Sequence, residues 1–97
     1  MARVIVNQPQ PLDELHKQEL LALQRKFGEQ LRELRHSKEM TLEQVAEASE
    51  LHANYVGSVE RGERNISLYN IWRIADSLGL QADRLLQNLP TRKPQQS

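Results

Sequence analysis

The chain has 97 residues, 13 basic against 13 acidic side chains, zero net charge and 38% hydrophobic content, enough for one domain with one modest core. It contains no cysteine, which excludes disulfides, zinc fingers and thiol catalysis. No apolar stretch approaches the roughly 20 residues that cross a bilayer, and Met1 to Gln10 lacks the basic start and apolar run of a signal peptide. No membrane partner and a cytoplasmic location are therefore expected.

Arg3 to Gln10 carries a β-branched run, Val4-Ile5-Val6, followed by Pro9 and Pro11, which block a helix there. It reads as an extended arm. From Leu12 the pattern turns helical: Leu20, Leu23, Phe27, Leu31 and Leu34 recur at three- and four-residue steps, the inward stripe of one long first helix or of two joined ones. Gly28 interrupts that stripe and costs about 1 kcal/mol against alanine, which points to a close approach of another backbone. His36 to Glu39 ends the segment.

Thr41-Leu42-Glu43-Gln44 has the capping-box pattern and starts a short second helix with Val45 and Ala46 on its apolar face. A third helix is expected from about Ala53, with Tyr55, Val56 and Val59 spaced to point inward, stopping at Gly62, the favoured left-handed position after a helix. Ser67 can cap a fourth, whose Leu68, Ile71, Ile74, Ala75 and Leu78 form another core stripe ended by Gly79. Ala82 to Leu89 reads as a short fifth helix closed by Pro90. The architecture expected is all-α with four or five helices: an arm at 1–11, a helical domain at 12–89, and a polar, disordered tail at 90–97.

A helix-turn-helix needs a small residue where its helices touch, a tight corner, and branched apolar residues inside the second helix, leaving that helix's outer face free. Ala46, the corner Ser49 to His52, Val56 and Val59 meet these needs within about 42–60. Two longer blocks, Phe27-Gly28-Glu29-Gln30-Leu31-Arg32-Glu33-Leu34-Arg35 and Asn54-Tyr55-Val56-Gly57-Ser58-Val59-Glu60-Arg61-Gly62-Glu63-Arg64-Asn65-Ile66-Ser67-Leu68, carry a family likeness. With them, Phe27 to Leu86 resembles the lambda-repressor-like helix-turn-helix family of Cro and the phage repressors. The likeness is greatest to the controller proteins of restriction-modification systems.

The resemblance implies a compact lambda-repressor-like DNA-binding domain, here with an N-terminal helical extension, acting as a homodimeric regulator on a palindromic double-stranded DNA operator. It places base reading on Ala53, Asn54 and Ser58, with His52 and Tyr55 extending the set; asparagine is suited to adenine and alanine to a thymine methyl. It places phosphate contacts on Arg61, Arg64 and Asn65 after the recognition helix. Family members carry a phosphate-binding glutamine where this chain has Leu42, so that contact is lost or moved to Thr41 or Gln44. Arg35 is expected to pair with Glu60 and to support the backbone contacts. Glu39 and Glu50 stand at turn positions that favour glycine, each strained if its φ is positive.

Trp72, Leu80, Leu85, Leu86 and Leu89 give more apolar surface than a small domain needs, and a dimer interface is its natural use. His16, His36 and His52 are too scattered for a metal site. No phosphate loop or nucleophile with a base is present, so neither cofactor nor enzymatic activity is expected. The competing reading is a protein-interaction module on the same fold, such as an antitoxin. Fold likeness alone does not separate the two.

Overall fold

The structure, a computed structural model, describes residues 12–92; the arm expected at 1–11 and residues 93–97 of the tail lie outside it. In chain order it comprises α1 (Glu14–Ser37), α2 (Leu42–Ser49), α3 (Ala53–Glu60), α4 (Leu68–Ser77) and a 3-10 helix (Ala82–Leu86), with no strand among the described residues. The expected fifth α-helix is thus a shorter, tighter element, ending before Leu89. The first helical segment is a single continuous helix rather than two.

Local side-chain chemistry starts three of the four α-helices where they begin. Asp13 accepts from the His16 backbone N–H, Thr41 and Gln44 form the complete capping box, and Ser67 accepts from the Asn70 N–H, so each supplies an acceptor for N–H groups that a helix start leaves unpaired. His52 at the head of α3 provides no such side-chain bond. The helix ends share one device. Glu39, Glu50, Gly62 and Gly79 all have positive φ, and the residue after each returns its N–H to the last turn: Met40 to Arg35, Leu51 to Ala46, Glu63 to Ser58 and Leu80 to Ala75. These bonds satisfy carbonyls that would otherwise be orphaned. The positive φ anticipated at Glu39 and Glu50 is present, at 54° and 60°.

The core comprises Phe27, Leu31 and Leu34 from α1, Val45 and Ala46 from α2, Val56 and Val59 from α3, Ile71, Ile74, Ala75 and Leu78 around α4, and Leu85. Gly28 has the tight surroundings its position predicts: a Cβ there would lie 2.5 Å from the Val59 carbonyl oxygen and closer still to that of Glu60. A side chain at this point would push α3 away from α1.

Two stripes run past the core. Leu23 is exposed and Leu20 only half-buried, Leu23 lining an open apolar groove with Phe27, Ile71, Leu86 and Leu89. The described chain measures 52 × 24 × 22 Å, and a 24-residue helix alone spans about 36 Å. Leu68, expected in the core stripe of α4, is instead 75% exposed; as the first residue of α4 it lies outside the part of the helix that the other elements cover.

Candidate nucleic-acid interface

The corner between α2 and α3 is short, Glu50 to His52, and it is braced from outside. Arg73 on α4 donates from Nε to the Ser49 carbonyl at 2.9 Å and from NH2 to the Glu50 carbonyl at 3.1 Å. Its guanidinium also lies 5.0 Å from the centre of the Tyr69 ring. The last α2 carbonyl and the first of the corner are thereby paired, and α4 braces the corner from which α3 leaves. Sequence reasoning did not single out Arg73, since nothing local links it to residues more than twenty positions away.

On α3, Val56 and Val59 face the core, leaving Asn54, Gly57, Ser58 and Arg61 along the other side at the three- and four-residue steps that share a helix face. Asn54 and His52 are exposed, with no side-chain hydrogen bond among the described residues, while Ala53 and Tyr55 are half-buried against the core. Ser58 does not fit the exposed role expected for it. It is buried; its hydroxyl donates to the Tyr55 carbonyl at 2.6 Å and accepts from Arg64 Nε at 3.0 Å. Arg64 lies over the Tyr55 ring, 5.8 Å from its centre, and the Tyr55 hydroxyl accepts from Asn70 at 3.1 Å. Ser58 therefore positions an arginine rather than presenting its own hydroxyl.

Arg61 caps the C-terminus of α3 and is exposed, as are Arg64 and Asn65. Its guanidinium lies back over the helix: a Cβ on Gly57 would stand 3.2 Å from NH1 and 3.7 Å from Leu42 Cδ1. Leu42 thus packs beside the outer face of α3, in keeping with its lack of polar atoms. At the head of α2, Thr41 N–H donates to Gln44 Oε1 at 2.8 Å and Gln44 N–H to Thr41 Oγ1 at 3.1 Å. Capping uses acceptor atoms of both side chains and leaves their donors, the hydroxyl proton and the amide NH2, pointing to no partner among the described residues.

Arg35 is not available to a phosphate. It is buried, donating from Nε and NH2 to the two Glu60 carboxylate oxygens at 2.6 and 3.0 Å and from NH1 to the Met40 carbonyl at 2.9 Å. The Glu60 hydrogen bonds hold its guanidinium above its ordinary pKa against the opposing effect of burial. The pair fastens α1 to the end of α3. Of the residues expected at a dimer contact, Trp72 and Leu86 are exposed and Leu80 and Leu89 half-buried, but Leu85 is fully buried and belongs to the core. Leu68 and Tyr69, which sequence reasoning missed, are exposed beside Trp72, and the Tyr69 and Trp72 rings are stacked with centroids 6.3 Å apart.

This geometry, a braced corner with a partly polar helix face flanked by arginines, is that of a helix-turn-helix, and the chain belongs to that family: the helix-turn-helix family profile matches residues 31–85. It is similar to the control protein C.BamHI of Bacillus amyloliquefaciens, with 44% identity over 61 residues covering 62% of this chain and 75% of that one. The control protein C.SmaI of Serratia marcescens is 41% identical over 60 residues, covering 62% and 71%. Among solved structures, the restriction-modification controller protein C.AhdI of Aeromonas hydrophila matches with a TM-score of 0.63 and 47% identity, over 64% of this chain and 94% of that one. The expected likeness to controller proteins is borne out. An HTH-type transcriptional regulator of Deinococcus deserti is a further relative, 33% identical over 64 residues covering 66% of this chain and 50% of that one, and no described helix is long and apolar enough to cross a membrane.

Proposed function

We propose that this chain is a sequence-specific, DNA-binding transcriptional regulator that occupies a palindromic operator as a homodimer, with α3 in the major groove. The observation that carries the reading is the outer side of α3, where Asn54 and His52 are exposed with no side-chain hydrogen bond among the described residues, while Arg61 and Arg64 flank the helix. Asn54 reads a base edge, adenine being its best bidentate partner, and His52, Ala53 and Tyr55 adjoin it. Arg64 and Asn65, with the donors of Thr41 and Gln44, hold the phosphate backbone and set register, and Arg61 adjoins them with its guanidinium on Glu63. Ser58 and Asn70 act through Arg64 and Tyr55. Helix-turn-helix dimers span half-sites about one helical turn apart. The exposed α4 patch of Leu68, Tyr69 and Trp72, with Leu86, supplies apolar surface for the two-fold contact.

Selection of bound duplexes from random DNA tests this. A two-fold symmetric consensus is expected; Asn54→Ala should relax preference at one position in each half-site, at about 1–3 kcal/mol, while Arg64→Ala should weaken all sequences alike. Failure to enrich any sequence at low salt would rule the reading out.

A further inference from the structure

The loop after α3 differs from the other three helix ends in one respect. At each end, the residue after the left-handed position donates its backbone N–H to the last turn, and in three of them that residue, Met40, Leu51 or Leu80, is apolar and packs on the core. This is the hydrophobic contact that usually accompanies such an end. At α3 the equivalent residue is Glu63, exposed and turned away from the core. Its carboxylate takes Arg61 in a fork: Nε to Oε2 at 3.0 Å and NH2 to Oε1 at 3.3 Å.

The backbone carrying this carboxylate is held in place. Glu63 N–H donates to the Ser58 carbonyl at 2.9 Å, and the Gly62 carbonyl accepts from Gln24 Nε2 at 2.8 Å. A Cβ on Gly62 would meet the Arg25 backbone at 2.9 Å, so α1 lies directly against the turn. On its other side the Arg61 guanidinium rests over Gly57. A carboxylate and a phosphate present the same paired oxygens to a guanidinium, so the fork engaged by Glu63 is one that also suits a DNA phosphate.

We infer that Glu63 is a built-in counterion that occupies the phosphate-binding edge of Arg61 and attenuates DNA affinity without altering which bases are read. The inference rests on the DNA-binding reading above and makes Glu63 a positioning residue acting through Arg61. A DNA phosphate must displace the carboxylate, which then remains close to the backbone as a like charge. Arg61 holds the Glu63 carboxyl below the ordinary carboxylate range, chiefly through the hydrogen-bonded fork, so the pair stays charged at neutral pH. In the wild type Arg61 thus releases little of the counterion atmosphere of DNA, and freeing it adds close to one phosphate contact.

The test is duplex affinity across a salt series for the wild type, Glu63→Gln, Arg61→Gln and the double variant, on an operator from the selection above. Glu63→Gln should tighten binding about fivefold near 0.1 M salt and steepen the slope of log affinity on log salt by about 0.9. The base preference should not change. Arg61→Gln should cost the wild type less than about twofold, and in its presence Glu63→Gln should no longer tighten binding. Unchanged or weaker binding by Glu63→Gln overturns the inference. So does a gain that survives Arg61→Gln, which would mark mere removal of a negative charge. Absence of binding by both wild type and Glu63→Gln to any duplex at low salt overturns the DNA-binding reading as well. Both residues are exposed, so unchanged helix content and thermal midpoint verify that the variants fold.

Discussion

Glu60 and Arg35 meet where α1 passes the end of α3, with side chains only 7% and 10% exposed. Removing one charge leaves the other buried and unpaired, so Glu60→Gln should destabilise the fold by about 3 kcal/mol, read as a fall in the urea midpoint at unchanged slope. Replacing both by methionine should cost much less than the sum of the single changes. Ser58 presents the opposite case, a polar residue whose effect is felt elsewhere. Ser58→Ala should weaken binding to every duplex in the manner of Arg64→Ala, leaving base preference intact, because the hydroxyl supports Nε of Arg64. At this scale the sequence was legible where the chemistry is local: the capping box of Thr41 and Gln44 and the left-handed glycine at Gly62 follow from neighbours in the chain. Ser58 was not legible, because its periodic position on α3 is outward and only a side chain from the following loop covers it. Leu85 failed for a similar reason, since its burial depends on how the 3-10 helix meets α1 and α4.

The four α-helices end in the same left-handed turn, two through glycine and two through glutamate. A side chain at such a φ costs roughly 1–2 kcal/mol, less for asparagine. Glu50→Asn should therefore raise stability by about 0.5–1 kcal/mol, visible as a higher thermal midpoint, with Arg73 still bonded to the corner carbonyls. The contact of α1 with α3 has no such tolerance. Gly28→Ala would drive a methyl into the Val59 and Glu60 carbonyls, and a loss of about 2–3 kcal/mol in chemical denaturation is expected. Both positions could be flagged from sequence, because a glycine inside a helix and a glutamate at a turn each break a local rule. The extent of the stripes could not. Periodicity marks an apolar face but not where its partner stops, so Leu23 and Leu68 looked like core and are exposed.

Over the whole chain, zero net charge makes any affinity for DNA a matter of local arrangement. Arg61 and Arg64 flank α3, while Glu43, Glu47, Glu50 and Glu63 stand exposed on or beside the same helix pair. In the homodimer proposed above, two-fold binding compensates for a weak half-site, since linking two modest contacts multiplies their effect. Trp72→Asp, at an exposed position, should leave the fold intact, halve the mass seen by sedimentation and weaken operator binding by more than tenfold. The central claim, that α3 enters the major groove of a two-fold site, is open to a direct probe because the chain has no cysteine. A DNA-cleaving iron chelate can be attached uniquely at His52→Cys, beside the head of α3, or at Asp83→Cys on the exposed side of the 3-10 helix. On the selected operator, His52→Cys should cut at two symmetric positions about one helical turn apart and Asp83→Cys should not cut. Cleavage from Asp83→Cys with none from His52→Cys would contradict the account.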